Sequence, residues 1–187
     1  MHLKKILLST ILMSGLLTAQ NSVALNINNE DVELQTSINF NDVIGYADGT
    51  TYTLDANYLH TDGDNLLGIG LSGENQLQGV YGLTVGLGIK TVFADQFVAV
   101  PLLVRGAYTL PLTDAIPTTK VEMSLAYAPS VLSFNEADGY SEFRTQLDME
   151  IVSNIHIFTG YRNIDTDYKA SDHTFNDSFY GGLKLSF

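Results

Sequence analysis

Cysteine is absent from this chain of 187 residues, and basic residues are scarce. Without cysteine, neither a disulfide framework nor thiolate chemistry is available, which is compatible with export. Nine lysines and arginines stand against 21 aspartates and glutamates. Because nucleic-acid phosphates require a basic surface, this balance argues against nucleic acid as a partner.

A long apolar segment is also missing. The apolar run 6–17 is shorter than the roughly 18 residues of a spanning helix, and no later run reaches that length. With Lys4 and Lys5 before it and Ser22-Val23-Ala24 after it, this run predicts a signal peptide over residues 1–24. The mature chain then starts at Leu25, and a cut after Ala19 is the alternative. Loss of the two lysines takes the net charge from −12 to −14.

The mature residues 25–187 are one domain in size, and strand-like alternation dominates them. In residues 80–93, seven side chains of one phase alternate with glycine, threonine and lysine, the period of a strand with one apolar face. Pro101 predicts an irregular or bulged position. The same alternation recurs in eight further segments: 32–40, 51–60, 66–72, 98–110, 121–127, 143–151, 155–161 and 177–187.

Nine strands conflict with the architecture that this pattern favours. A membrane barrel with both termini on one side has an even number of strands. Either residues 25–28 form a tenth strand, or two of the nine segments are one strand. The predicted fold is therefore all-β, a closed antiparallel transmembrane β-barrel of 8 or 10 strands that satisfies every backbone group. We expect the loops 129–139 and 163–176 to be extracellular and the turn 152–154 to be periplasmic.

Ionisable side chains fall on the polar phase of these segments. A charge facing lipid near the midplane costs about 2–4 kcal/mol, so a barrel needs its charges turned inward. The predicted lumen-lining charge network comprises Lys90, Arg105, Lys120, Glu122, Arg144, Asp148, Glu150, His156, Arg162 and Lys184. Glu33, Asp55 and Glu142 share the inward phase.

Two interpretations of this lumen remain open. The charges pair and plug the lumen, or they line a narrow polar pore. We favour the plug, because eight or ten strands enclose a space that side chains can fill. Gly82, Gly86 and Gly88 either make room for Lys90 and Arg105 or leave a narrow path for water.

Aromatic residues of the outward phase collect near strand ends, as interfacial girdles do. A soluble β-sandwich shows the same alternation without that placement. The final strand ends on Phe187 and resembles the closing strand of bacterial outer-membrane barrels. That resemblance assigns Phe179, Leu183, Leu185 and Phe187 to the barrel insertion signal, and it makes the barrel-assembly machinery a partner during insertion.

Support for catalysis or metal binding is weak. None of His60, His156 and His173 is flanked by a nucleophile motif. His156 faces inward across from Asp148 or Glu150, and we expect a hydrogen-bonded structural role for it. The acidic loops 62–65 and 165–167 have oxygen ligands for Ca²⁺ or Mg²⁺ but no EF-hand spacing. We predict no catalytic residue, no metal site and no cofactor, with weak divalent bridging to lipopolysaccharide as the one option.

Four segments resemble the YfaZ family: Val-Glu-Leu-Gln at 32–35, Tyr-Ala-Pro-Ser-Val-Leu-Ser-Phe at 127–134, Gly-Tyr-Arg-Asn-Ile-Asp at 160–165, and the closing strand. The resemblance covers most of the mature chain. It implies a predicted outer-membrane protein of Gram-negative bacteria without an established biochemical activity. It brings no catalytic residues, and it hints that Arg162 anchors the inward network.

We therefore expect a small, monomeric, non-enzymatic barrel of the bacterial outer membrane with a structural or surface-interaction role. Its partners are outer-membrane lipid and lipopolysaccharide. A narrow passive channel for small polar solutes and a lipid-modifying barrel enzyme are the alternatives.

Overall fold

A computed structural model describes residues 21–45, 49–112 and 116–187. Most of the predicted signal peptide, residues 1–20, lies outside them. The described strands are β1 Ser22–Ile27, β2 Asp31–Asn39, β3 Thr51–Thr61, β4 Asp64–Gln76, β5 Leu83–Ala94, β6 Phe97–Ala99, β7 Leu102–Thr109, β8 Thr119–Ala128, β9 Ser133–Asn135, β10 Ala137–Val152, β11 Ile155–Tyr168 and β12 Ser171–Ser186. A four-residue helix, α1 Asn41–Ile44, and a 3₁₀ turn, Ser130–Leu132, accompany them.

These strands form one antiparallel sheet that closes on itself. With the exception of β9, each strand up to β11 pairs with the next along the chain or is continued by it, and β1 pairs with both β2 and β12. The pairing of β4 with β5 completes the ring. Because no strand is left at an open edge of the ring, the barrel satisfies its own backbone hydrogen bonds.

The barrel contains ten strands, because two of them are interrupted. β6 and β7 are parts of one strand, broken at Pro101, which has no N–H to donate to the ladder. The Lys90 N–H still donates to the Pro101 carbonyl (2.9 Å), which keeps β5 attached at the break. β9 continues β8 beyond the 3₁₀ turn and pairs with β6. The ten-strand alternative is confirmed, with β1 as the strand that the count of nine had lacked.

Asn21, the first residue that the structure describes, meets Phe187 at one end of the barrel, called the terminal end below. The Asn21 N–H donates to the Phe187 carbonyl (3.1 Å), and the Phe187 N–H donates back to Asn21 (2.8 Å). The described parts of the connections here are 40–45, 49–50, 77–82, 110–112, 116–118 and 153–154. The opposite end, called the hairpin end, has turns of one to three residues: 28–30, 62–63, 95–96, 136 and 169–170.

The two predicted long loops are mostly strand, so that prediction is wrong. β10 begins at Ala137, and only residues 169 and 170 separate β11 from β12. Polar side chains there pair across the strands, as when the Thr174 hydroxyl donates to Asp165 (2.9 Å). Polar composition in this region therefore marks an extension of the sheet rather than a loop.

Outward side chains are apolar and exposed along the barrel wall. On β5, Val85, Leu87, Ile89 and Phe93 are all exposed. A row of aromatic rings crosses β10, β11 and β12, with centroids 6.3 Å apart for Phe143–Tyr161 and 5.1 Å apart for Tyr161–Phe179. No helix among the described residues is long and apolar enough to cross a membrane.

Candidate functional site

The candidate site is the lumen, whose side chains form three layers along the barrel axis. On β3 the inward residues are Asp55, Asn57 and Leu59, from the terminal end to the hairpin end. They belong respectively to a terminal layer with a cavity, a middle layer of ion pairs and an apolar layer. The alternation of a strand sends every second residue into the lumen, so consecutive layers lie two residues apart.

Glu33 is at the centre of the middle layer and is fully buried. Its carboxylate accepts two hydrogen bonds from the Arg144 guanidinium, both 2.8 Å long, and one of 2.6 Å from Arg162. The Asn26 and Asn57 amides donate to it at 2.9 and 2.8 Å. Five hydrogen bonds from these four side chains thus compensate one buried negative charge, as burial of an ion requires.

Glu142 forms the second half of the middle layer. The Lys90 ammonium lies 2.6 Å from its carboxylate, and the Tyr140 hydroxyl donates to the same oxygen at 2.7 Å. The Arg144 Nε donates to the other oxygen. Arg144 therefore bridges Glu33 and Glu142, and the two halves form one continuous network across the lumen.

Arg162 connects three strands of the barrel and is fully buried. Besides Glu33 on β2, it reaches Asp31 at 3.1 Å and the Asn176 side chain on β12 at 2.8 Å. Its guanidinium carbon lies 5.3 Å from the centre of the Tyr180 ring, a cation–π distance. These contacts fix β11 to β2 and β12, on both sides of the short β1.

Glycines on β4 and β5 make room for this network. A Cβ on Gly68 would lie 2.4 Å from the Lys90 Cε, and one on Gly86 would lie 2.5 Å from the Glu74 Cγ. Gly82, by contrast, is in a connection at the terminal end, with φ +81°. The space beside Gly68 and Gly86 is occupied by charged side chains, so these glycines do not leave an open water path.

An apolar layer fills the lumen toward the hairpin end. The Phe97 ring lies 6.2 Å from the Tyr140 ring and 5.2 Å from the Tyr168 ring, measured between centroids. The twelve buried members are Leu59, Leu66, Val92, Phe97, Ala99, Leu103, Ala126, Ala128, Ala137, Tyr140, Ile164 and Phe175. Strands that contribute to the apolar layer have apolar residues in both phases, as in Leu66-Leu67 and Val92-Phe93. Alternation alone does not reveal this local signal in the sequence.

The terminal layer encloses a cavity of about 330 Å³. Arg105 lies 2.8 Å from Asp55 and 3.5 Å from Glu74. Lys184 lies 2.5 Å from Asp148 and 3.8 Å from Glu122, whose side chain is 38% exposed. Four acids face two bases here, and water has access to Glu122, in contrast to the closed layers above.

His156 lies in a row with an acid and a serine at the terminal end. Its Nδ1 is 2.7 Å from the Asp148 carboxylate, and its Nε2 is 3.4 Å from the Ser186 hydroxyl. This order of groups is that of a serine hydrolase triad. However, the Ser186 N–H donates to Asn154 (2.9 Å) and the Phe187 N–H to Asn21 (2.8 Å), so the backbone donors beside the serine are already engaged. Asp148 is also paired with Lys184.

The predicted lumen residues lie in the middle layer, in the terminal layer and toward the rim of the terminal end. Lys90, Arg144 and Arg162 belong to the middle layer, and Arg105, Glu122, Asp148, His156 and Lys184 belong to the terminal layer. Lys120 shares the inward phase of Glu122 and is in register with Asp148. Glu150 accepts a hydrogen bond from the Asn154 N–H (3.1 Å) at the rim.

Asp31 and Asn176 are network members that the sequence pattern did not reveal. Asp31 lies outside the nine alternating segments, yet it is buried and accepts hydrogen bonds from the Thr61 hydroxyl (2.5 Å) and the Ser178 hydroxyl (2.7 Å). Asn176 was assigned to a loop. Asp31 is the first residue of β2, where alternation is too short to assign a face, and Asn176 lies beside a register irregularity that interrupts the alternation of β12.

The remaining predicted residues lie outside the lumen network. Phe179, Leu183, Leu185 and Phe187 all project outward from β12 and are exposed. His60 is bonded to Asn65 (2.9 Å), and the His173 ring packs edge-on near Phe175.

Carboxylates also gather at the tip of the β11–β12 hairpin. Burial raises the pKa of the Asp167 carboxyl, and the neighbouring Asp172 and Asp165 add to this effect. The described residues contain no group of three or more potential ligands arranged to hold a metal ion.

Fold and lumen together define a small closed antiparallel barrel whose interior is filled by an ion-pair network and an apolar layer. The chain belongs to the YfaZ family: the YfaZ precursor family matches residues 3–187. No curated protein matches the sequence.

Solved structures with a similar fold include two porins. The KdgM porin is 12% identical, with 89% of this chain and 98% of that chain covered and a TM-score of 0.42. The NanC porin is 10% identical, with the same coverage and a TM-score of 0.43.

Proposed function

We propose that this protein is a monomeric outer-membrane barrel with a closed lumen, which serves a structural or surface-interaction role and does not conduct solutes. One observation carries the proposal: the middle and apolar layers fill the barrel cross-section. The ion pairs of Glu33, Glu142, Arg144 and Arg162 span the lumen, and the buried Phe97 and Tyr140 lie above them. The cavity of the terminal layer therefore ends blindly at the network.

The outward surface supports placement in a lipid bilayer. A soluble monomer rarely exposes a large contiguous apolar patch, whereas here the apolar phase is exposed around the wall. On β5 the apolar positions run from Leu83 to Phe93, about the ten residues that a tilted strand needs to cross the hydrocarbon. Bilayer contact satisfies this surface, and the apolar side chains meet lipid and the lipid part of lipopolysaccharide.

Orientation can be tested directly, because the chain has no cysteine. Export by an N-terminal signal leaves the terminal end in the periplasm, so the hairpin end faces the medium. We expect a membrane-impermeant maleimide to label Ala170→Cys in intact cells and Ser153→Cys only after the outer membrane is opened. Both positions are exposed and lie in turns. The opposite labelling pattern would overturn the orientation, and absence of both variants from the outer-membrane fraction would overturn the location.

Planar-bilayer recording tests closure. We expect the purified, refolded protein to give no discrete conductance steps, under conditions in which a porin inserted into the same bilayer conducts. Migration on an unheated gel establishes that the sample is folded. Reproducible steps from folded protein, absent with boiled protein, would favour the passive channel instead.

The row Asp148–His156–Ser186 supports a second candidate, a lipid-modifying hydrolase. Its weakness is that the backbone N–H groups of Ser186 and Phe187 are not free to stabilise a developing oxyanion, since both are engaged in backbone hydrogen bonds. We therefore expect a fluorophosphonate probe not to label the folded protein. Labelling that disappears in both Ser186→Ala and His156→Ala would establish a reactive serine and favour the enzyme.

A further inference from the structure

β1 begins at Ser22. Cleavage at the better-formed motif, in contrast, would start the mature chain only at Leu25. Ser22-Val23-Ala24 is the small-x-small motif, and the same three residues are the first half of β1. Each is in register with residues of two strands. The partners on β12 are Ser186, Leu185 and Lys184, and those on β2 are Ser37, Thr36 and Gln35.

Closure of the barrel extends one residue further toward the N-terminus. The Asn21 backbone exchanges two hydrogen bonds with Phe187, at 3.1 and 2.8 Å. Its side-chain oxygen accepts a third from the Asn39 N–H (2.9 Å), at the end of β2. Asn21 therefore binds the chain at the ends of both β2 and β12. These contacts belong to the folded barrel, so we do not expect Asn21 to be removed with the signal peptide.

A cut after Ala24 would leave only Leu25, Asn26 and Ile27 to fill the gap between β2 and β12. A strand that crosses an outer membrane takes about nine to eleven residues. The inner edges of β2 and β12 would then face each other without a partner over their terminal halves. Unpaired backbone groups are costly inside a bilayer, so this seam would be open where the rest of the ring is closed.

We infer that the mature chain begins at Gln20, produced by hydrolysis of the Ala19–Gln20 bond rather than the Ala24–Leu25 bond. Water adds across the peptide bond, giving a carboxylate on Ala19 and an amine on Gln20. Ala19 supplies the small residue immediately before the bond, two positions after the apolar run ends at Leu17, although Leu17 is larger than the small-x-small pattern has at that position. The inference rests on the proposed function in one respect, since both require export.

Intact mass spectrometry of the untagged protein from the outer membrane of a Gram-negative host tests the cleavage site. We expect the mass of residues 20–187, with N-terminal sequencing starting at Gln20 or at its cyclised form. A chain starting at Leu25 in the outer membrane would overturn the inference while leaving the proposed function intact. Unprocessed protein retained in the cytoplasm would overturn both.

Two matched variants separate the alternative sites. Ala19→Val and Ala24→Val each place a branched side chain at the last position before one of the candidate bonds. We expect Ala19→Val to accumulate precursor and Ala24→Val to be processed as the wild type, since residue 24 lies five positions beyond the inferred cleavage bond. The reverse pattern would overturn the inference.

Refolding of the two mature forms provides a second measurement that does not depend on the peptidase. Residues 20–187 and 25–187 are refolded from urea into the same detergent. We expect the longer form to have the higher urea midpoint of unfolding and the larger heat-modifiable fraction. Equal midpoints for the two forms would show that Asn21 to Ala24 do not contribute to closure, which would remove the structural basis of the inference.

Discussion

Glu33 shows how single residues hold this lumen. Its carboxylate bonds two arginines whose positions in the chain are 111 and 129 residues away. Two charges removed from water attract each other strongly, but their desolvation costs nearly as much, so the net stabilisation of the pairs is small. The cost of losing one partner is large, because the other charge is then buried alone.

Replacement of Glu33 with Gln should therefore destabilise the barrel. We expect the free energy of unfolding in detergent to fall by about 3 kcal/mol, the lower end for a broken buried pair, because Arg144 keeps Glu142. Glu122→Gln is the control: its side chain is 38% exposed, with Lys184 at 3.8 Å, and we expect a loss below about 1 kcal/mol. Urea titration followed by tyrosine fluorescence measures both. Equal losses would mean that the network does not contribute as described.

At the scale of elements, the distance between β4 and β5 depends on glycines that face the lumen. A Cβ on Gly88 would lie 2.5 Å from the Leu71 carbonyl oxygen, a backbone atom that cannot turn away. Gly70, also inward, would have its nearest neighbour at 3.4 Å. The two glycines lie on adjacent paired strands but differ in the room available for a methyl group.

Gly88→Ala should separate the strands and cost about 1–3 kcal/mol, the range for overpacking. Gly70→Ala should be nearly neutral. Urea midpoints measured under identical detergent conditions compare the two. Similar midpoints for the two variants would contradict the close approach of β4 and β5 at Gly88.

β12 closes the ring and carries the predicted insertion signal on its outward face. Phe187→Ser should reduce the amount of protein assembled in the outer membrane while leaving refolding in detergent unchanged, because the ring is 38% exposed and not part of a core. Tyr127→Ser, an outward aromatic on β8, is the control and should assemble normally. Pulse-labelled fractions and in vitro refolding give the two measurements. A parallel loss in both assays would indicate a structural role for Phe187 instead of a signal.

At the scale of the molecule, closure makes unfolding cooperative. Every described barrel strand has two neighbours, and the middle layer crosses the lumen, so no strand can leave without breaking pairs on both sides. Such barrels resist detergent until heated. The net charge of −14 after removal of the signal peptide does not oppose this, because the lumen charges of the middle layer are balanced.

Migration in sodium dodecyl sulfate should therefore differ between unheated and boiled samples, with two bands interconverting in one transition. We expect the transition temperature of Glu33→Gln to be lower than that of Glu122→Gln, in the same order as their urea midpoints. Identical migration with and without boiling would count against the closed barrel. Several partial transitions would count against cooperative closure.

Much of the architecture follows from the sequence alone, because the period of a strand is local. Alternation identifies which side chains face outward, and it sorts Lys90, Arg144 and Arg162 onto the inner face before any strand is paired. The outward apolar wall and the even strand number follow from the same pattern together with the requirement that backbone groups be satisfied in lipid.

The tertiary structure decided what local patterns cannot contain. β1 is too short to be recognised by periodicity, and the interruption at residues 129–132 becomes clear only from strand pairing, whereas Pro101 already predicted the irregular position between β6 and β7. The partners of Glu33 lie more than a hundred residues away, and which arginine meets which carboxylate depends on barrel register and tilt. The apolar layer likewise assembles from many strands, so only their arrangement in space brings its side chains together in the lumen.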